Sequence, residues 1–358
     1  MSIPTGIACL KDYEHHAQQT LPPQAWAYIY GASADEHTAR KNEQAYAELK
    51  ILNRTLVDVS AGHTRLQLLG HSLQHPILLA PVAYQKLAHP DGELASAAAA
   101  SAQDALFVLS TLSSSTIEDV ARSAAGPKWF QLYFQNSAEQ TLQLIRRAEK
   151  SGFSAIVVTV DAPINGLRNR EQRSGFRLPD GVSAVNCQSK EIPQNNAGES
   201  HVFQGLMSRA PTWHDIKWLK SQTRLPILVK GIVNPADAIL AAEKGLDGIV
   251  ISNHGGRTMD TLPSPVEVLP MISNHINGEI PLIVDSGIRR GTDIFKALAL
   301  GADAVMIGRP IMYALATAGA LGVAHTIRLL RDELELTMAL CGCETLSDIS
   351  AECLWQPA

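Results

Sequence analysis

A closed (β/α)8 barrel, an α/β fold, is what this sequence of 358 residues predicts, on three observations. Eight short apolar runs alternate with amphipathic stretches from Pro76 to Gly308, the cadence of buried parallel strands and their covering helices. Polar and titratable residues gather just after those runs, and in a barrel the C-terminal strand ends share one face. The first run ends in Ala80-Pro-Val-Ala-Tyr84, without the Gly-x-Gly-x-x-Gly turn that opens a doubly wound sheet.

The elements follow in order. Strands are expected at Pro76–Val82, Leu106–Thr111, Trp129–Phe134, Ala155–Ala162, Pro226–Ile232, Gly248–Ser252, Pro281–Ser286 and Ala304–Gly308. Helices are expected at Gly92–Ala102, Thr116–Ser123, Ala138–Ser151, Thr212–Gln222, Pro235–Lys244, Ser264–Ile276 and Thr292–Leu300. Residues 1–75 read as an N-terminal helical extension, with Tyr28 to Glu36 marking a helix end, a turn and a new start. Residues 76–313 form the barrel core within a single domain. Its insert over 171–211 is rich in Asn, Gln, Ser and Pro, has little periodicity, and is long enough to read as a lid. Residues 314–358 read as one or two helices that close the chain.

Composition narrows the function. Hydrophobic residues make up 46% and charged residues 18% of the chain, which excludes a disordered protein. The formal net charge of −5 comes without any Lys/Arg block, which argues against a nucleic-acid partner. No apolar run approaches the roughly 18 residues expected of a membrane span. The N-terminus lacks the basic segment and apolar core of a secretion signal. A soluble cytoplasmic enzyme, with no membrane or nucleic-acid partner, is the expectation. The five cysteines are scattered, and Cys341-Gly-Cys343 has no histidine company, so structural thiols and no metal site are expected.

The chemistry centres on Ile251-Ser-Asn-His-Gly-Gly-Arg-Thr-Met-Asp-Thr261. Here His254 and Arg257 leave a strand end together, a titratable base beside a fixed cation. That pairing suits proton abstraction from a substrate carrying a carboxylate. The other strand ends supply Pro81, Val82 and Ala83, then Ser110, then Gln131 and Tyr133. Thr159 and Asp161 follow, with Arg168 a few residues on; then Lys230, Ser252 and Asp285. The last two loops carry Gly287 with Arg289 and Gly308 with Arg309, where barrels of this kind commonly seat a phosphate.

Several motifs together resemble one family. They are Ser252-Asn-His-Gly-Gly-Arg-Thr-Met-Asp260, Asp285-Ser-Gly-Ile-Arg-Arg-Gly-Thr-Asp293 and Gly301-Ala-Asp-Ala-Val-Met-Ile-Gly-Arg-Pro310. Leu79 to Glu93, Trp129-Phe-Gln-Leu-Tyr133, Val158-Thr-Val-Asp-Ala-Pro163 and Val229-Lys-Gly231 add to them. With these the chain, from about residue 8 to 350, resembles the FMN-dependent L-2-hydroxy-acid oxidase/dehydrogenase family. The resemblance implies FMN as cofactor, a small anionic 2-hydroxy acid as substrate, and a homotetramer or homo-octamer. It implies O2 as the expected electron acceptor, giving hydrogen peroxide, with a dehydrogenase serving a quinone, cytochrome or other protein as the alternative. By resemblance His254, Asp161 and Tyr133 are the catalytic set, and Tyr28, Tyr133, Arg168, His254 and Arg257 bind substrate. Backbone at Pro81, Val82 and Ala83, with the side chains of Ser110, Gln131, Thr159 and Ser252, would hold the isoalloxazine ring. Lys230 would sit beside flavin N1 and O2, and Asp285 would reach the ribityl hydroxyls. Gly287, Arg289, Gly308 and Arg309 would take the phosphate. Two positions depart from the family pattern: Thr258-Met259 replaces Gln-Leu, and Leu112 stands where many relatives carry Trp or Tyr. The second leaves the substrate's side chain open.

Overall fold

The computed structural model describes residues 2–187 and 198–355. Its N-terminal part holds three helices, α1 (Leu10–Thr20), α2 (Pro23–Tyr30) and α3 (His37–Glu48), then a hairpin of β1 (Leu66–Leu68) and β2 (His71–Leu73). The extension expected over 1–75 is therefore helical only as far as Glu48. Eight strands follow: β3 (Ile77–Leu79), β4 (Leu106–Ser110), β5 (Lys128–Leu132), β6 (Ile156–Thr159), β7 (Ile227–Ile232), β8 (Gly248–Ile251), β9 (Leu282–Asp285) and β10 (Ala304–Ile307). They pair in parallel, each with its neighbour in the chain, and β10 returns to β3 to close the barrel. Each strand falls within, or one residue outside, its expected run, because continuous apolar segments can be satisfied only where both faces are covered.

The covering helices are α4 (Gly92–Ala102), α5 (Ile117–Ser123), α6 (Ala138–Lys150), α8 (Trp213–Gln222), α9 (Pro235–Glu243), α10 (Pro265–Ile276) and α11 (Gly291–Ala299), with a short α7 (Asn169–Arg173) in the insert. Their starts are set by polar caps: Thr116 accepts from Asp119 N, Ser137 from Gln140 N and Asn234 from Ala236 N. Such caps satisfy amides that the helix itself leaves open. The insert is less irregular than its composition implies, carrying α7 and helical turns at His201–Gly205 and Leu206–Arg209. Part of the lid expected over 171–211 lies outside the described residues.

The last helix, α12 (Arg309–Cys341), corrects two expectations. It begins at Arg309, not near Ala314, and non-helical torsions at Ala318 and Gly319 divide it into two pieces. By length and composition it is apolar enough to cross a membrane, contrary to the expectation that no run would be, yet 67% of that window is buried inside the protein. It is a core helix, packed on α1, α4 and α11.

Side chains alternate along the strands with period two. Ile77, Leu79, Phe107, Phe130, Val158, Val229 and Val284 face the helices. Leu78, Val108, Trp129, Val157, Leu228, Val250, Ile283 and Met306 fill the barrel interior, with Leu68 and Leu73 of the hairpin stoppering its N-terminal end. The interior is thus solid at one end, and the inward side of each strand becomes available only at the other.

The N-terminal helices dock over that open end. Asn42 on α3 and Asn253 after β8 exchange amide hydrogen bonds of 2.9 and 2.7 Å in a buried contact. Asp260 accepts from the backbone amides of Asp35, His37 and Thr38, capping α3 from another part of the chain. Substituting Asn253→Ala leaves the Asn42 amide without its partner in a buried contact. Denaturant unfolding is expected to show a loss of about 1–3 kcal/mol.

Candidate active site

The open end of the barrel holds a cavity of about 630 Å³. Its wall is built by the strand parity described above. Two residues beyond each inward apolar side chain, the same face of the strand carries Ala80, Ser110, Gln131, Thr159, Lys230, Ser252, Asp285 or Gly308. All of these but Ser252 line the cavity, together with Pro81, Val82, Ala83, Tyr133, Gly287, Arg289 and Arg309.

His254 sits in left-handed backbone, φ 57°, an uncommon conformation for a non-glycine residue and one that clusters at functional sites. Its amide donates to Ser252 Oγ at 3.0 Å. Its Nδ1 lies 2.9 Å from Asp161 Oδ1. A carboxylate only accepts, so Nδ1 is the donor, and this tautomer of the neutral ring leaves the Nε2 lone pair free. His254 lines the cavity and Asp161 does not, which makes Asp161 a support behind the ring. Gly231, at φ 110°, gives Asp161 its room, since a Cβ there would overlap the carboxyl group.

Two guanidinium groups share the chamber with the imidazole. Arg257 donates to the carbonyls of Tyr28 and Gly31 at 2.7 and 2.9 Å, and its charge lies 5.0 Å from the centre of the Tyr28 ring. Burial, then the positive charge of Arg168, lower its pKa to about 10, so it stays charged at neutral pH. Arg168 approaches Glu171 at 3.5 Å, while its buried Nε has no partner. Tyr28 reaches this chamber from α2 and stacks on Phe176 at 4.5 Å between ring centres. Tyr133 has its phenol raised well above the ordinary range, by burial first and then by the Asp161 charge, so its hydroxyl keeps its proton.

Deeper in, Lys230 Nζ meets Asp285 Oδ2 at 2.8 Å and donates to Ser252 Oγ at 2.9 Å, and Ser252 in turn donates to Asp285 at 2.6 Å. Ser252, expected to help hold the ring, has its hydroxyl engaged inside this triad. Burial would raise the Asp285 carboxyl, but the Lys230 charge and the hydrogen bonds from Lys230 and Ser252 outweigh it and hold the pKa below the ordinary value. Gln131 accepts from Ser110 Oγ and Thr111 N at 3.3 and 3.1 Å. Its Nε2 is left buried without a partner.

At the far end Arg289 pairs with Glu43 at 2.8 Å and has an unpartnered buried Nε. Arg309 donates to the carbonyls of Ile29, Gly255 and Gly31. Both were expected as phosphate ligands; as placed, each also braces the N-terminal segment. With the N-terminus of α12 at Arg309, this corner presents positive charge and backbone donors, which suits a dianion.

Sequence reasoning did not single out Tyr84, Glu171, Phe176, Arg177, Leu178 or Cys187, all of which line the cavity. Most come from the insert, where no periodic pattern reports direction. Cys187, expected as a structural thiol, donates to Thr111 O at 3.2 Å in this wall.

A barrel with a cation-rich phosphate corner, an unpartnered amide in mid-cavity and a base beside two arginines defines a phosphate-anchored cofactor enzyme acting on an anionic substrate. Comparison with known proteins agrees: residues 17–356 match the model of the FMN-dependent dehydrogenase family, and the chain belongs to it. It is 47% identical to an L-lactate oxidase of Alicycliphilus denitrificans, over 98% of this chain and 97% of the relative. It is 42% identical to glycolate oxidase 5 of Oryza sativa subsp. japonica, over 96% of this chain and 94% of the relative. A crystal structure of mandelate oxidase with (S)-2-phenylpropionate superimposes with a TM-score of 0.89 at 38% identity, over 97% of this chain and 98% of that one. The cofactor is FMN. The residues present fit it: Gln131 Nε2 beside the ring-binding strand ends and Arg289 Nε in the phosphate corner are buried donors without a protein partner.

Removing the Lys230 charge tests the triad. Lys230→Met leaves Asp285 buried without its cation and is expected to lower the stability of the apoprotein by about 3–5 kcal/mol in urea. The native Asp285 pKa is depressed, so its contribution is complete above the ordinary value of 3.8 and is lost as pH falls through the native value. Melting curves between neutral and acid pH are expected to show this loss in the wild type and to lack it in the variant.

Proposed function

We propose that this enzyme oxidises an L-2-hydroxy acid to the 2-oxo acid and delivers the electrons to O2, releasing hydrogen peroxide. The observation that carries the reading is the His254–Asp161 pair, 2.9 Å apart, with His254 facing the same cavity as Arg168 and Arg257. FMN, when bound, supplies the two-electron acceptor that no side chain provides.

The protein's own part follows from the geometry. Arg168 and Arg257 grip the substrate carboxylate, a planar task that guanidinium forks suit. That grip orients the carbon bearing the hydroxyl toward His254 Nε2, which takes one proton from the substrate. The imidazolium so formed is stabilised by Asp161 behind it. The Tyr133 phenol, held protonated, donates to a substrate oxygen, and Tyr28 closes the carboxylate end. Lys230 would place positive charge beside the flavin, and Gln131 Nε2 would offer it a hydrogen-bond donor. Arg289, Arg309 and the start of α12 would hold the phosphate, and the backbone of Pro81, Val82 and Ala83 would line the ring. Leu112, Leu178 and Ala184 on the outer wall support a small or medium aliphatic substituent on the substrate. The oxidase activities named for the relatives support O2 as acceptor. A homotetramer or homo-octamer belongs to the same reading, and light scattering of the purified enzyme tests it.

The assay is peroxide release in air from L-lactate, glycolate and L-mandelate. Peroxide equal to the oxo acid formed is expected; slow reoxidation in air would reassign the enzyme as a dehydrogenase. His254→Ala is expected to keep the yellow FMN and lose about 10²–10⁴ in kcat. Arg168→Met, which removes a charged contact to the carboxylate, is expected to raise KM about 10- to 100-fold.

A further inference from the structure

We infer that Glu93 is a positioning residue that fixes the ring-binding wall of the FMN site. Its buried carboxylate pins the loop after β3 to the loop after β4. The inference rests on the reading that these two loops flank the FMN ring.

Glu93 lies in the first turn of α4 and is completely buried. It touches neither the cavity nor any group assigned above. Its Oε1 accepts from Gln85 N at 3.0 Å and from Ser114 N at 2.8 Å. The Ser114 hydroxyl reaches both oxygens, at 3.0 and 2.8 Å, and Ser115 Oγ donates to Oε2 at 2.9 Å. The donors come from two separate loops and converge on one charge. The stitching continues beside it. Lys86 N donates to Ser114 Oγ at 3.1 Å, Tyr84 N to Leu112 O at 3.1 Å, and Ser96 Oγ to Gln85 Oε1 at 2.6 Å.

The residues so fixed are the neighbours of the cavity wall. Val82, Ala83 and Tyr84 line it from one loop, and Leu112, with Ser110 at the end of β4, from the other side. Tyr84 itself has φ 53°, a strained conformation that persists only where its surroundings over-determine it. A buried carboxylate met only by hydrogen bonds is costly to keep unless every contact is made. What it secures here is the separation of two loops whose backbone must meet a flat ring.

The test uses purified holoenzyme and reads FMN dissociation from the fluorescence of released cofactor. Glu93→Ala is expected to raise the FMN Kd about tenfold or more, with KM for the hydroxy acid changed less than about twofold, because Arg168 and Arg257 sit on other loops. Glu93→Gln is expected to recover most of the affinity, since its Oε1 keeps both backbone amides and the Ser115 hydroxyl can turn to accept from Nε2. If Glu93→Ala fails to fold, Ser115→Ala removes a single donor and is expected to raise Kd about threefold. An FMN Kd within about twofold of wild type in every variant that folds, with only the melting temperature lowered, would overturn the inference. Gln131→Leu separates the two ways it can fail. If that variant weakens FMN while the Glu93 variants do not, Glu93 has a merely structural part and the ring site stands. If Gln131→Leu also leaves Kd unchanged, the assignment of the ring site itself falls.

Discussion

The strict alternation of side chains along closed, parallel strands governs the rest of this structure. Once Trp129 and Leu228 fill the interior, Gln131 and Lys230 must emerge on the same inward side two residues later, at the strand ends. No loop has to be steered to bring them together. The hairpin side chains Leu68 and Leu73 occupy the opposite end, so chemistry is confined to one mouth. A one-residue slip of any strand would turn its polar terminus into the helical layer and an apolar residue into the cavity.

Within that mouth the charges divide into two groups with different tasks. The Lys230–Ser252–Asp285 triad is deep, complete and internally neutral, and its hydrogen bonds are short. The His254–Asp161 pair is closer to the opening and incomplete: Asp161 Oδ2 is buried without a partner. A satisfied network rigidifies, while an unsatisfied one is prepared to meet charge that develops during reaction. Burial first, and then the neighbouring Arg168 charge, lowers the pKa of Arg257, and a bound anion would offset both effects.

Much of this was legible in the residues themselves. The barrel followed from eight apolar runs. His254, Arg257 and Lys230 stood out because a charge directly after a buried strand is expensive to keep unless it meets a ligand or an opposite charge. Ser252 shows the limit. Its position marks it as inward-facing, but the choice between meeting a ligand and bridging Lys230 to Asp285 depends on side-chain reach, which no pattern encodes. Phe176 and Cys187 show another, since the insert lacks periodicity and nothing in its order reveals which residues turn inward. The α12 boundary was misplaced because Arg309 and Pro310 read as loop residues, while proline is well accommodated in a first helical turn. The hairpin before the first barrel strand was absorbed into a helical extension because strands of three residues leave almost no alternation to read.

The carbonyl contacts of Arg257 and Arg309 with α2 have a consequence for biosynthesis. Arg257 and Tyr28 are 229 positions apart, and Arg309 and Ile29 are 280 apart. When α2 leaves the ribosome, the arginines that will anchor it have not been made. The substrate chamber therefore comes into being only after the final barrel strand is in place. Catalytic competence is in effect a receipt for finished folding, and a stalled or truncated chain carries the parts of an oxidase without the means to act as one.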